Sequence, residues 1–176
     1  MKVLTHSTFA VAVVLASLAC GAPAGKPGKG DKLVDAQLFT LDGKPIKLSE
    51  AINGRVAVFK FGATWCGWCN KQLVDFNKVA KTYPKSKVAV MDIDVGEPAA
   101  KVRAHAKKAN VTFTTVLDPK GAAAGKYNVS GIPVTIVAGH DGIILFRGYY
   151  TRFGQLKKYI DRALAMLKAG DTATEK

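Results

Sequence analysis

Cys66 and Cys69 stand three positions apart in Trp65-Cys66-Gly67-Trp68-Cys69, at the junction of two different patterns. Before the pair, residues 56–61 (Val-Ala-Val-Phe-Lys-Phe) are apolar and β-prone. After it, Leu73, Phe76, Val79, Ala80 and Tyr83 recur at close to helical period. A strand that runs straight into a helix fixes where the pair must lie. Cys66 falls at the helix N-terminus, where unpaired backbone N–H groups and the positive end of the helix dipole stabilise a thiolate. Cys69 lies about one turn further in on the same side, so a disulfide between the two is geometrically feasible. That arrangement suits thiol–disulfide exchange.

The third cysteine, Cys20, follows a secretory leader. A short basic start (Met1-Lys2) precedes an apolar run over residues 9–19, too short to span a bilayer. Two cleavage readings are open. Leu18-Ala19-Cys20-Gly21 resembles a bacterial lipobox, with Ser17 where leucine is usual; cleavage after residue 19 would then leave a lipidated Cys20. Alternatively, Ala22-Pro23-Ala24 is an A-x-A site whose use would discard Cys20. Residues 20–34, rich in Gly, Pro and Lys, read as a flexible linker that holds the domain off a membrane. Export puts the chain in an oxidising compartment, where Cys66 and Cys69 are the thiols left to pair. A purely structural bridge is the weaker reading of that pair, because so short a loop restrains the unfolded chain little.

Residues 35–168 read as one domain, with 169–176 as a disordered tail. A hairpin over 36–48 turns at Asp42-Gly43. Strands follow at 56–61 and 88–93, the latter apolar on both faces as parallel strands tend to be. Helices are expected over 66–82 and from Pro98 to about 109, with Asn110 as a stop. A short strand at 113–117, a short helix at 122–127, a hairpin over 134–146 and a last helix bearing Phe153, Leu156, Ile160, Leu164 and Leu167 complete the chain. This order implies an α/β fold, a central mixed sheet with helices on both faces. Lys and Arg total 26 against 13 acidic residues; loss of the leader removes one cation, Lys2, and leaves 25 against 13. Such a surface favours anionic membranes or acidic partners. The basic residues are scattered and no nucleic-acid motif is present, so nucleic acid is not an expected partner.

The stretch Phe61-Gly62-Ala63-Thr64-Trp65-Cys66-Gly67-Trp68-Cys69 resembles the active-site turn of the thioredoxin superfamily, and most of all its extracytoplasmic TlpA/ResA-type thiol–disulfide oxidoreductases. Three further stretches resemble that branch in the same order. Residues 39–49 are similar to its N-terminal hairpin, residues 127–135 to the segment with its cis-proline, and residues 141–144 to its final hairpin. The resemblance covers residues 35–167. It implies a thioredoxin fold with an extra N-terminal β-hairpin, no cofactor and no metal, and exchange of disulfides with protein substrates on the periplasmic side.

On this resemblance Cys66 is the attacking nucleophile and Cys69 resolves the mixed disulfide. Pro133 corresponds to the cis-proline, and the Ile132 backbone is placed to pair with an extended substrate peptide. Trp65 shields the thiol or packs in the core, and Gly67 and Trp68 form the dipeptide that tunes the redox potential. Two positions depart from thioredoxin: Trp68 stands where proline is usual, and Lys60 where a buried carboxylate accepts a proton. A buried Lys60 stabilises thiolates; one that snorkels to water does little. The resemblance favours a reductase fed by a membrane electron donor. An oxidase or isomerase on the same fold, or a thiol-dependent metal- or partner-binding module, remain as alternatives. His105 and His140 read as ordinary surface residues, and the Pro-x-x-x-Thr-x-x-Cys loop of a peroxidase is missing.

Overall fold

The computed structural model describes residues 25–174; the leader, Cys20 and both cleavage readings lie outside them. The hairpin consists of β1 (Gln37–Thr40) and β2 (Pro45–Lys47), followed by α1 (Leu48–Ile52). Then come β3 (Val56–Gly62), α2 (Gly67–Thr82), β4 (Val88–Val95), α3 (Ala99–Lys108), β5 (Thr114–Asp118) and α4 (Ala122–Lys126). The chain closes with β6 (Val134–Ala138), β7 (Ile144–Gly148) and α5 (Phe153–Thr174). Seven strands form one sheet in the order β2-β1-β5-β4-β3-β6-β7. The β3–β4 and β4–β5 pairs are parallel; the remaining pairs are antiparallel, so the sheet is mixed as the element order implies.

Alternation along the two central strands sorts their side chains between two cores. Ala57, Phe59 and Phe61 of β3 and Met91 and Ile93 of β4 pack with Leu48, Ile52, Ala123, Ala124 and Tyr127, under α1 and α4. The other face carries Val56, Val58, Val88 and Val90 against Phe76 and Val79 of α2 and Leu156, Ile160 and Ala163 of α5. The parallel register sets Val56 beside Val88 and Val58 beside Val90, then Lys60 beside Asp92 and Gly62 beside Asp94. The face that carries α2 therefore turns from valine to charge towards the C-terminal ends of both strands. The α2 N-terminus lies over that end.

Three expectations are corrected. Strand β4 is not apolar on both faces: Asp92 and Asp94 are buried along one of them. The expected flexible linker is docked from Pro27 onward. Gly30 N–H donates to the Ile144 carbonyl, Lys32 bridges to Ile143, and Leu33 and Val34 pack on the core. Backbone hydrogen bonds to the open edge of β7 give this stretch a fixed path that its Gly-Lys-Pro composition hides. Lastly, α5 continues to Thr174, through residues expected as a disordered tail. Among the described residues no helix is long and apolar enough to cross a membrane.

Candidate active site

Cys66 is the N-cap of α2, and its Sγ accepts a hydrogen bond from the Cys69 backbone N–H at 3.2 Å. This places the sulfur where the first-turn donors and the helix dipole favour negative charge. The two cysteines are joined as a disulfide with Cα atoms 5.1 Å apart. Cys66 is 8% exposed and Cys69 only 1%. The sulfur at the helix cap is thus the reachable one of the pair. Gly67 opens the helix with free space where a Cβ would stand.

Beneath the pair the sheet is polar. Lys60 is 2% exposed and binds Asp92 Oδ1 at 2.5 Å, which rules out the snorkelling alternative. A Cβ added at Gly62 would stand 2.5 Å from Lys60 Nζ and 3.3 Å from Cys69 Sγ. A larger residue here would have to displace the ammonium or crowd the Cys69 sulfur. Asp94, the register partner of Gly62, is 3% exposed and one of its carboxyl oxygens has no hydrogen-bond partner. Burial, and then the nearby Glu97 and Asp92 charges, push the Asp94 carboxyl up to about 8. Burial also raises Glu97, but hydrogen bonds from Lys101, Thr64 and Asp94 outweigh it and hold that carboxyl at about 2. Glu97 accepts from the Thr64 N–H at 2.6 Å and from the Thr64 hydroxyl at 2.8 Å, which clamps the turn leading into Cys66.

The rim is built by other elements. The Ile132–Pro133 bond is cis, and the Ile132 carbonyl oxygen lies 3.8 Å from Cys66 Sγ. Trp68, Ile132, Pro133, Tyr149 and Tyr150 line a groove of about 330 Å³ beside the disulfide. Trp68 is 56% exposed, with its ring 5.4 Å from that of Tyr150 and Lys71 Nζ 4.2 Å from its centroid. Trp65, expected to shield the thiol or to pack in the core, is 71% exposed and belongs to the outer rim, not the core. Two buried side chains of α2 anchor the tyrosine segment. Gln72 bonds both backbone groups of Thr151, and Asp75 accepts from the Tyr150 hydroxyl. The structure therefore gathers Lys60, Trp65, Cys66, Gly67, Trp68, Cys69, Ile132 and Pro133 at one end of the sheet. Sequence reading overlooked Asp92, Asp94, Glu97, Tyr149 and Tyr150. The available signal was Asp92-x-Asp94 in a strand otherwise of valine, isoleucine and methionine, with Lys60 six residues before Cys66 as the matching charge.

The AhpC/TSA family profile matches residues 29–147. The thiol-disulfide oxidoreductase ResA of Geobacillus kaustophilus is 28% identical over 141 residues, which cover 79% of this chain and 78% of that protein. The thioredoxin-like protein YneN of Bacillus subtilis is 33% identical over 118 residues, 66% of this chain and 68% of its own. Among solved structures, a Chlorobium tepidum protein assigned as the thiol:disulfide interchange protein DsbE superposes with a TM-score of 0.69 at 27% identity, covering 77% of this chain and 97% of that one. A shared thioredoxin-like fold, relatives that exchange thiols and disulfides, and a helix-capping cysteine pair all agree. The chain belongs to the AhpC/TSA family, as a thioredoxin-fold thiol–disulfide oxidoreductase of the ResA/DsbE type.

Proposed function

We propose that this enzyme reduces disulfides of exported proteins, with Cys66 as the attacking thiolate and Cys69 as the resolving thiol. The observation that carries the reading is the difference between the two cysteines: Cys66 caps the helix and keeps 8% exposure, and Cys69, at 1%, is sealed behind it. Cys66 attacks the substrate disulfide and forms a mixed disulfide; Cys69 then displaces the substrate thiolate and closes the Cys66–Cys69 bond. A substrate strand laid along the Ile132 backbone brings its cysteine towards Cys66, and the Trp68–Tyr150 groove receives a neighbouring apolar side chain. Each turnover leaves the pair oxidised, so a membrane reductase must return two electrons. Lipid on Cys20 would hold the domain near that donor, and the basic surface suits an anionic membrane face.

The equilibrium reduction potential of the Cys66–Cys69 pair against a defined thiol buffer tests the direction. A value near the roughly −270 mV of thioredoxin supports a reductase, whereas one near the roughly −120 mV of DsbA makes the enzyme an oxidant. That second reading has an observation in its favour: the Lys60 ammonium lies beside Cys69 and would stabilise a thiolate there. Asp92 neutralises the same ammonium at 2.5 Å, which weakens the effect and favours the reducing assignment. Anchoring has its own check, the mass of the mature N-terminus: an acylated Cys20 supports it, and a free Gly25 refutes it.

A further inference from the structure

The resolving thiol poses a problem of proton supply. Cys69 is buried, so it meets little water, yet it must gain a proton each time the disulfide opens and lose one each time it closes. The position on β3 six residues before Cys66 carries a lysine engaged with Asp92. One neighbouring carboxyl has an oxygen to spare. Asp94 lies on the next strand at the level of Gly62, on the face that Lys60 and Cys69 share, with one oxygen unpartnered and its side chain sealed from solvent.

We propose that Asp94 stores the proton that Cys69 exchanges, and that the Lys60 ammonium hands it across. This rests on the reading of Cys69 as the resolving thiol. When an incoming thiolate attacks Cys66 Sγ, the Cys66–Cys69 bond breaks and its electron pair leaves on Cys69 Sγ. Lys60 gives that thiolate a proton and takes one from the Asp94 carboxyl, so Lys60 ends unchanged and Asp94 ends as a carboxylate. In the closing direction the transfer reverses. Cys69 loses its proton to Asp94, attacks Cys66 Sγ of the mixed disulfide, and the substrate sulfur departs with the electron pair. Electrons pass only between sulfurs, and the proton only between Cys69 and Asp94.

The groups that face Asp94 suit it to this task. Asp92 on its own strand and Glu97 beyond it both disfavour a second negative charge. Lys60 from β3 opposes them. Lys101 from α3 neutralises Glu97 at 2.5 Å and is itself 55% exposed, which gives the cluster one contact with solvent. An acid held near 8 is poised to give or take a proton at neutral pH.

Reduced full-length protein carrying Cys20→Ser, mixed with dithionitrobenzoate in stopped flow, separates the two steps. The first thionitrobenzoate leaves when Cys66 attacks the reagent, the second when Cys69 resolves the mixed disulfide. Asp94→Asn is expected to slow the second release at least tenfold at pH 7. It should also remove the rise of that rate with pH around 8, while the first release keeps its rate. Asp94→Glu is expected to keep the rise with a displaced midpoint. An unchanged second phase in Asp94→Asn overturns the proposal, and so do two phases that slow in parallel, the mark of a merely structural role. Should Asp94→Asn not fold, Asp94→Glu decides: a limb identical to that of the parent overturns it. A Cys66→Ser protein whose remaining Cys69 attacks the reagent as fast as the parent's first phase would instead refute the assignment of Cys66 as attacking and Cys69 as resolving thiol, a failure distinct from that of Asp94.

Discussion

Lys60 is a residue that the centre of a sheet should reject. It sits mid-strand with 2% exposure, where an uncompensated ammonium would cost several kcal/mol. Asp92 is the compensation, and the parallel register that sets the two side by side makes the pair a product of β3–β4 alignment. Breaking such a pair from one side strands the other charge, which typically costs about 3–5 kcal/mol, whereas removing both charges together is close to neutral. Lys60→Met is therefore expected to lower the stability of the oxidised protein by about that amount, read from urea unfolding, and Lys60→Met with Asp92→Asn to recover most of it. If the single and double variants prove equally unstable, the bulk of Lys60 rather than its charge matters at this site. Gly62 belongs to the same arrangement, because any larger residue would press on both the ammonium and the Cys69 sulfur.

At the scale of elements, local pattern spoke clearly wherever one period ran unbroken. The β3-to-α2 junction was legible because a strand of valine, alanine and phenylalanine, interrupted by Lys60 alone, ends at Gly62 and a helical stripe begins within a few positions. The hairpins announced themselves through Asp42-Gly43 and Asp141-Gly142, whose glycines adopt φ of 79° in both turns. The Asn110 stop shows as a left-handed residue at the end of α3. What stayed hidden depends on pairing between distant strands. Asp92 and Asp94 fall in a strand whose local pattern reads as buried and apolar, and only the β3–β4 register sets Asp92 beside Lys60 and Asp94 beside Gly62. The docking of residues 27–34 depends likewise on a free β7 edge that no local signal reveals. Tyr149 and Tyr150 reach the groove because Gln72 and Asp75, one turn apart on α2, hold the segment after β7.

Over the whole molecule, two charge effects of opposite sign act on stability as pH changes. The chain carries a formal charge of +13, so raising the pH towards its isoelectric point relieves repulsion among scattered surface cations. That effect is screened within about 10 Å at ordinary ionic strength and should fade in added salt. Asp94 works the other way and lies too deep to be screened well. Its carboxyl ionises near its ordinary value of 3.8 in the unfolded chain and near 8 in the folded one, so between those values the native state binds a proton that the unfolded state lacks. The unfolded state binds fewer protons there, and the stability that Asp94 contributes is lost as pH rises from about 4 to about 8. Glu97 has the reverse sign: held at about 2 against 4.5, it contributes stability that is lost as pH falls below 4.5. The oxidised protein is therefore expected to be most resistant to urea near pH 4–5 and to weaken towards pH 8 by on the order of a few kcal/mol. This weakening should persist in 0.5 M salt, roughly the level that suppresses the surface term. Asp94→Asn should flatten the decline while leaving the loss below pH 4.5 in place. A decline that survives in Asp94→Asn would show that another buried group holds the proton, and the charged end of the sheet would have to be read again around it.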